Sequence, residues 1–326
     1  MSFAKSSRFA GSSAYINETA EMAKKATVIV PTTGDRGPLL PVSVGSILAQ
    51  SEPDIEILVV GDGLTDDSRE IARGLQDLDP RVRFFDFPKH PRRGEENRHA
   101  VLSEADGEIA CYLCDRDFML PNHVSTMLTL LENADLAHTL RATFTENGIA
   151  FTSAVDITSK DDLSAIRSHR IAPAIPLSHA GHRMDFYRRL PFGWRTTPLY
   201  LYTDMYMWQQ FLDQPECRTA MSPELTILHI KRGDHPGWPT DSRLAVLEQW
   251  AARVARPGAI DDLTHSVYLA LISDHATLSH RLRPRTKQWI RKVLLDNPAL
   301  FDRCLSAQGP LQTARKIAWK LYGRKP

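Results

Sequence analysis

At 326 residues the chain can bury a large core, either as one large domain or as a domain with an appendage. Its 40 Lys and Arg stand against 39 Asp and Glu, so overall charge gives no case for a nucleic-acid partner. With 42% hydrophobic and 24% charged residues the composition is that of a soluble globular protein, and no apolar run approaches the ~20 residues of a membrane span.

Residues 1–26 are small and polar without a continuous apolar stretch, so they do not read as a secretory signal. Residues 1–25 are expected to form a poorly ordered leader. From there strand and helix signals alternate. Strands are expected at 26–31, 54–61, 81–87 and 109–114. Amphipathic helices are expected at 39–50, 66–76, 95–104 and 122–132, with Asp66 as the N-cap of the second. This alternation implies βαβ units and a mostly parallel sheet. Ligands of such sheets bind at the carboxyl ends of the strands, so the loops after Pro31, Gly61, Phe87 and Cys114 should converge on one site.

After about residue 134 the pattern changes. Segments 136–144 and 149–155 flank Asn147-Gly148, a hairpin signal. Helical patterning returns from Arg243, with breaks at Pro257-Gly258, Pro284 and Gly309-Pro310. The last segment, 313–325, mixes Ile317, Trp319, Leu321 and Tyr322 with five basic residues, Arg315, Lys316, Lys320, Arg324 and Lys325. It can lie on an anionic membrane surface or pack its apolar side on the domain. Of the four cysteines, Cys111 and Cys114 form a C-x-x-C inside an apolar run. No second C-x-x-C completes a zinc site, so they read as structural thiols in a reducing cytoplasm.

The strand at 109–114 ends in Asp115-Arg116-Asp117, followed by Pro121. Two carboxylates at a strand end suit a hard divalent cation, which takes oxygen ligands and shares them with phosphates. The arginine between them changes that expectation. Asp62, in Val60-Gly61-Asp62-Gly63, is either a turn residue or an acceptor for a base or ribose. Pro31-Thr32-Thr33-Gly34 offers hydroxyls and amides at the first strand end, without the Gly-Lys-Ser/Thr of a P-loop. Arg98 lies on the helix leading to the fourth strand, where it could pair with a carboxylate or a phosphate, whereas Arg92 and Arg93 read as a solvated loop cluster.

The ordered series Ile29-Val30-Pro31-Thr32, Ser46-Ile47-Leu48-Ala49-Gln50, Glu56 through Asp66, Asn97-Arg98-His99-Ala100, Gly107-Glu108-Ile109 and Asp115-Arg116-Asp117 with Pro121 resembles family 2 glycosyltransferases of the GT-A fold. The resemblance is continuous from 27 to 133 and extends less strictly to 254. It implies an α/β fold, a mostly parallel twisted sheet flanked by helices, with a helical C-terminal extension over 256–326. The glycosyltransferase domain would span 26–255, with a nucleotide-binding half at 26–133 and an acceptor half at 134–255.

The resemblance also implies roles. Thr32, Asp62, Arg98 and Asp115 would meet the nucleotide of a nucleotide-diphospho-sugar donor, with UDP as the first expectation. Asp115, Asp117 and His229 would hold Mg²⁺ or Mn²⁺ on the diphosphate. Many members carry a metal-binding Asp where this chain has Arg116. Three readings follow: Asp115 and Asp117 keep the metal, Arg116 itself supplies charge to the diphosphate, or the site is degenerate. Asp204, in Thr203-Asp204-Met205, matches the base of inverting members, with Asp185 in reserve. His179, His182, Asp185, Trp194 and Trp238 are candidates for the acceptor pocket. The acceptor would be a glycan, a lipid-linked glycan or a small molecule. The location would be cytoplasmic, at the inner membrane face if the basic tail binds lipid. The rival functions are a nucleotidyltransferase on a similar sheet and a catalytically degenerate nucleotide-sugar-binding protein.

Overall fold

The computed structural model describes residues 24–153, 155–167, 175–230 and 238–278. Strands β1 (Ala26–Gly34), β2 (Ile55–Leu64), β3 (Val82–Phe87) and β4 (Ile109–Tyr112) alternate with helices α1 (Leu40–Leu48), α2 (Asp66–Leu78) and α3 (Glu95–Ser103). The first five residues of β1 and the first eight of β2 are buried without alternation, as expected of parallel strands covered on both faces. β1 pairs in parallel with β2 and β4, and β2 with β3. The expected βαβ order is therefore present. Gly107 is needed just before β4, because a Cβ there would collide with the backbone N of Thr27.

The remaining elements are β5 (Phe118–Met119), α4 (His123–Leu131), β6 (Leu136–Thr139), β7 (Arg141–Thr145), β8 (Gly148–Ser153), α5 (Lys160–Arg167), β9 (Ala180–Arg183), α6 (Met184–Tyr187), α7 (Thr203–Leu212), β10 (Thr219–Ser222), β11 (Ile227–Ile230), α8 (Thr240–Val254) and α9 (Ala259–Leu278). Strands β10-β6-β9-β4-β1-β2-β3 form one sheet, and β5-β11-β7-β8 form another. β9 enters the first sheet antiparallel between β4 and β6. α8 and α9 cover the second sheet, where Trp250, Val267 and Leu271 pack in one cluster with Phe144, Leu228 and Ile230.

Three expectations need correction. The N-cap of α2 is Thr65, whose Oγ1 accepts from the Ser68 N–H at 3.4 Å, and Asp66 is already inside the helix. β2 runs past Gly61 to Leu64, because β1 continues to pair with it through Thr33↔Asp62 and Gly34↔Leu64. The apolar run 136–144 is two strands, since the chain leaves the first sheet after Thr139 and joins the second at Arg141. The Asn147-Gly148 hairpin is present, with Thr145 opposite Gly148 and Gly148 at φ 124°. α8 and α9 are separated at Pro257-Gly258, with Gly258 at φ 74°. The leader, the loop after Ile230 and the basic tail lie outside the described residues. Among the described residues no helix is long and apolar enough to cross a membrane.

Candidate active site

The carboxyl ends of β1 and β2 and the loops after β1, β3 and β4 converge on a cavity of about 350 Å³. Its wall includes Thr32 near the end of β1 and Arg36 after it, Asp62 near the end of β2, and Lys89, Arg92, Arg93 and Gly94 after β3. Cys114, Asp115 and Arg116 follow β4, and Leu177, Thr203 and Asp204 close the opposite side. The site therefore forms at the strand ends, where an open α/β sheet leaves a crevice. The basic residues Arg36, Lys89, Arg92, Arg93, Arg98 and Arg116 face Asp62, Asp115 and Asp204, six cations to three carboxylates.

Asp62 is buried, and it accepts hydrogen bonds from Lys89 Nζ and the His90 N–H. It thereby folds the 88–94 loop back over the end of β2. Gly94, at φ 67°, makes this approach possible, because a Cβ there would sit 3.2 Å from Asp62 Cγ. Thr32 is buried on the cavity wall, where its hydroxyl helps to hold down the Asp115 pKa. Arg98 is buried on α3, donates to the Arg93 carbonyl at 3.0 Å, and lies over the Trp194 ring at 4.4 Å. Burial pulls its pKa below the ordinary value against the charges of Glu95 and Asp204.

Asp115 is buried, with Arg36 Nη1 3.5 Å from its Oδ2. Burial raises its pKa above the ordinary carboxylate value despite Arg36 and Arg116. Asp117 points elsewhere. Its Oδ2 accepts from Ser178 Oγ at 2.6 Å and meets His229 Nδ1 at 3.0 Å, and its Oδ1 accepts from the Ile230 N–H at 3.1 Å. Burial opposes its ionisation, but His229, Arg116 and Ser178 outweigh it and hold the carboxyl below its usual range. Ser178 Oγ in turn accepts from the Cys114 N–H at 3.0 Å. The expected metal set is thus divided, since Asp117 is engaged with His229 and does not line the cavity, while Asp115 does. Among the described residues no three His, Cys, Asp or Glu side chains are grouped to hold a metal ion. Asp115 with its arginine neighbours, and Asp117 with its oxygens already bonded, do not fit a resident divalent cation.

Asp204 opens α7 half-buried, and one carboxylate oxygen accepts from the Leu177 N–H at 3.1 Å. Burial raises its pKa, against the pull of Arg98 and the Leu177 amide. A carboxylate in this condition accepts a proton more readily than an exposed one.

The acceptor candidates are not gathered at the cavity. His182 is a core residue, held between the Tyr112 hydroxyl at 2.7 Å and the Arg183 carbonyl at 3.2 Å. His179 is buried edge-on to His229, with centroids 5.7 Å apart. Trp194 is 2% exposed and donates to the Tyr112 hydroxyl at 3.0 Å, so its ring faces Arg98 and the core instead of a sugar. Asp185 is exposed and ion-paired with Arg183 at 2.9 Å, away from the cavity. Trp238 packs on the α8–α9 cluster, and its carbonyl accepts from Arg243 Nε at 3.0 Å.

Several site residues were missed by sequence reasoning. Glu95 is fully buried and accepts from the Arg93 N–H at 2.9 Å, the Thr197 N–H at 3.4 Å and Thr203 Oγ1 at 3.5 Å. Burial opposes its ionisation, yet backbone amides and Arg98 hold its pKa below the ordinary value. It ties the 88–94 loop to the segment that carries Asp204. An acid in a first helical turn reads as dipole chemistry, and only the packing of residues 197–203 reveals more. Arg92 is no solvated cluster member either, since it donates to the carbonyls of Thr197, Pro198, Leu199 and Leu201 at 3.2–3.4 Å. Cys111 and Cys114 are free thiols, and burial pushes both up to about 12.

Residues 27–184 match the model of Glycosyl transferase family 2. Over 104 residues the chain is 34% identical to the GalNAc(5)-diNAcBac-PP-undecaprenol beta-1,3-glucosyltransferase of Campylobacter jejuni, covering 32% of this chain and 33% of the other. Over 95 residues it is 30% identical to an uncharacterized glycosyltransferase of Nostoc sp., 29% of each chain. The matches span about a third of the length of these curated relatives. The fold is shared with S. aureus TarS in complex with UDP-GlcNAc, at a TM-score of 0.50 and 14% identity over 90% of this chain and 79% of that one. Residues 27–184 are a family 2 glycosyltransferase domain, and the architecture is GT-A.

Proposed function

We propose that this glycosyltransferase domain binds a nucleotide-diphospho-sugar in the cavity at the ends of β1–β4 and transfers the sugar to an acceptor hydroxyl with inversion. One observation carries the reading: Asp204, with a raised pKa, stands on the wall of a cavity whose other side is rich in cations. The acceptor hydroxyl gives its proton to Asp204, and its oxygen forms the new bond to the anomeric carbon. The bond from that carbon to the donor's phosphate oxygen breaks, and the nucleoside diphosphate leaves with the electron pair. Attack from the side opposite the leaving group inverts the anomeric centre.

Thr32 and Asp62 line the nucleotide end of the cavity. Asp62 contributes partly by ordering the 88–94 loop through Lys89 and His90. Arg98 acts as a positioning residue beneath Asp204, through its charge and its stacking on Trp194. The Leu177 N–H aims the Asp204 carboxylate. The relative in Campylobacter jejuni is a glucosyltransferase acting on an undecaprenol-linked glycan, which makes a UDP-hexose and a lipid-linked glycan the first donor and acceptor to try. Titration of the full chain with UDP, GDP, ADP and CDP, followed by transfer assays with the sugar nucleotide of the tightest binder, tests the reading. Absence of binding to all four nucleotides would sink it.

A further inference from the structure

The residues lining the cavity leave six cations facing three carboxylates, an excess of three positive charges by subtraction. Most of these cations are already engaged. Lys89 meets Asp62, Arg36 meets Asp115, Arg92 donates to backbone carbonyls, and Arg98 is held by the Arg93 carbonyl and the Trp194 ring. Arg93 is exposed to water, so Arg116 differs from all five. It makes no hydrogen bond or ion pair with a described residue, and its buried Nε has no acceptor. It is half-buried and lines the cavity together with Asp204. A guanidinium partly removed from water without an acceptor is unfavourable, and an anionic ligand relieves it.

We infer that Arg116 is a diphosphate-binding residue that occupies the place of a divalent cation, so that this chain binds its donor without metal. The inference rests on the nucleotide-sugar reading above. The residues beside Arg116 agree with it. The Asp117, Asp115 and Asp204 carboxylates, acting against its burial, keep the guanidinium firmly charged. Asp117, the other carboxylate of the strand end, has its oxygens bonded to Ser178, His229 and the Ile230 amide. Asp115 has Arg36 at 3.5 Å, which a cation would have to displace or repel. A planar guanidinium can hold two phosphate oxygens at once and cannot be deprotonated in the working range. It therefore supplies fixed positive charge where the diphosphate gains negative charge on leaving.

Calorimetry on the full chain with UDP and with uridine, each in EDTA and in MnCl₂, tests this. UDP is expected to bind equally in both buffers and more tightly than uridine. Arg116→Gln should weaken UDP by about tenfold or more, the worth of one charge-assisted pair, while leaving uridine binding unchanged. Arg116→Lys should recover part of the loss. UDP binding that appears only with MnCl₂ overturns the inference and leaves the nucleotide-sugar reading standing. Equal UDP binding by wild type and Arg116→Gln also overturns it. If neither UDP nor the other nucleoside diphosphates bind in either buffer, the reading itself fails and the inference falls with it. The wild-type comparison between buffers needs no variant and can overturn the inference by itself, and Arg116→Lys, with UDP binding equal to wild type as the overturning result, tests the side chain if Arg116→Gln does not fold.

Discussion

Two polar regions lie back to back behind the end of β4, and they use their charges in opposite ways. On the cavity side, Arg116 and Asp204 keep capacity for an outside molecule: Arg116 Nε has no hydrogen-bond partner and Asp204 is half-buried, while Asp115 Oδ2 has the Arg36 guanidinium at 3.5 Å. Behind it, Asp117, Ser178 and His229 satisfy one another together with the Ile230 and Cys114 amides. One region is prepared for a ligand and the other is closed. The difference teaches that two acids separated by one residue are not a pair, because each strand-end carboxylate answers to whichever segment packs against it.

The largest expected effect breaks the open region. Asp204→Asn should lower kcat by about 10²–10⁴-fold, the usual worth of a general base, with nucleotide binding preserved by calorimetry. An unchanged kcat would remove Asp204 from the chemistry. In the wild type, kcat/KM should rise with pH through a value above that of an ordinary aspartate, because burial raises the Asp204 pKa and only its ionised form accepts the proton.

The next effect breaks the closed region. Asp117→Ala leaves Ser178 Oγ, His229 Nδ1 and the Ile230 N–H without their acceptor. A loss of about 3 kcal/mol in urea unfolding is expected. The pH dependence has a definite sign. The Asp117 pKa is lowered in the folded state, so its stabilisation is fully present above the unfolded carboxylate pKa of about 3.9. It is lost as pH falls through the lowered folded value. The acid limb of wild-type stability should therefore flatten in Asp117→Asn.

A smaller effect sharpens the boundary between the regions. Gly94→Ala forces a Cβ into left-handed backbone and against Asp62, so about 1–2 kcal/mol of stability should be lost. UDP affinity should fall with it as the 88–94 loop shifts. The smallest expected effect is from Ser178→Ala, which removes one hydrogen bond to Asp117 and one from the Cys114 amide. It should cost about 1 kcal/mol in denaturant titration and leave nucleotide binding intact. Loss of binding there would show that the closed region also shapes the cavity.

Much of the donor half was legible because its signals are local. Runs rich in apolar and β-branched residues at 26–31 and 54–61 and the helical segments that follow them give parallel strands and helices from local patterning. The convergence of Thr32, Asp62, Arg98, Asp115 and Arg116 on one cavity followed from the strand-end rule. The second half was less legible. β9 enters the sheet antiparallel between strands that precede it in the chain, and the run 136–144 changes sheets at Leu140. Neither event leaves a periodic trace. His179, His182 and Trp194 looked like acceptor contacts because polar and aromatic residues clustered in sequence, but Tyr112, Arg98 and the core receive them.

The sequence by itself determined the order of strands and helices, the loops that would meet, and the arginine set between two acids. Hydrophobic period and turn chemistry act over a few residues, so they are written where they act. Only the tertiary structure decided that Asp115 faces the cavity while Asp117 turns to His229, which is 112 positions later in the chain. It likewise decided that buried Glu95 gathers Thr197 and Thr203 behind Asp204. The direction of a buried carboxylate is set by the donors that reach it, and these come from segments brought together only when the sheets close.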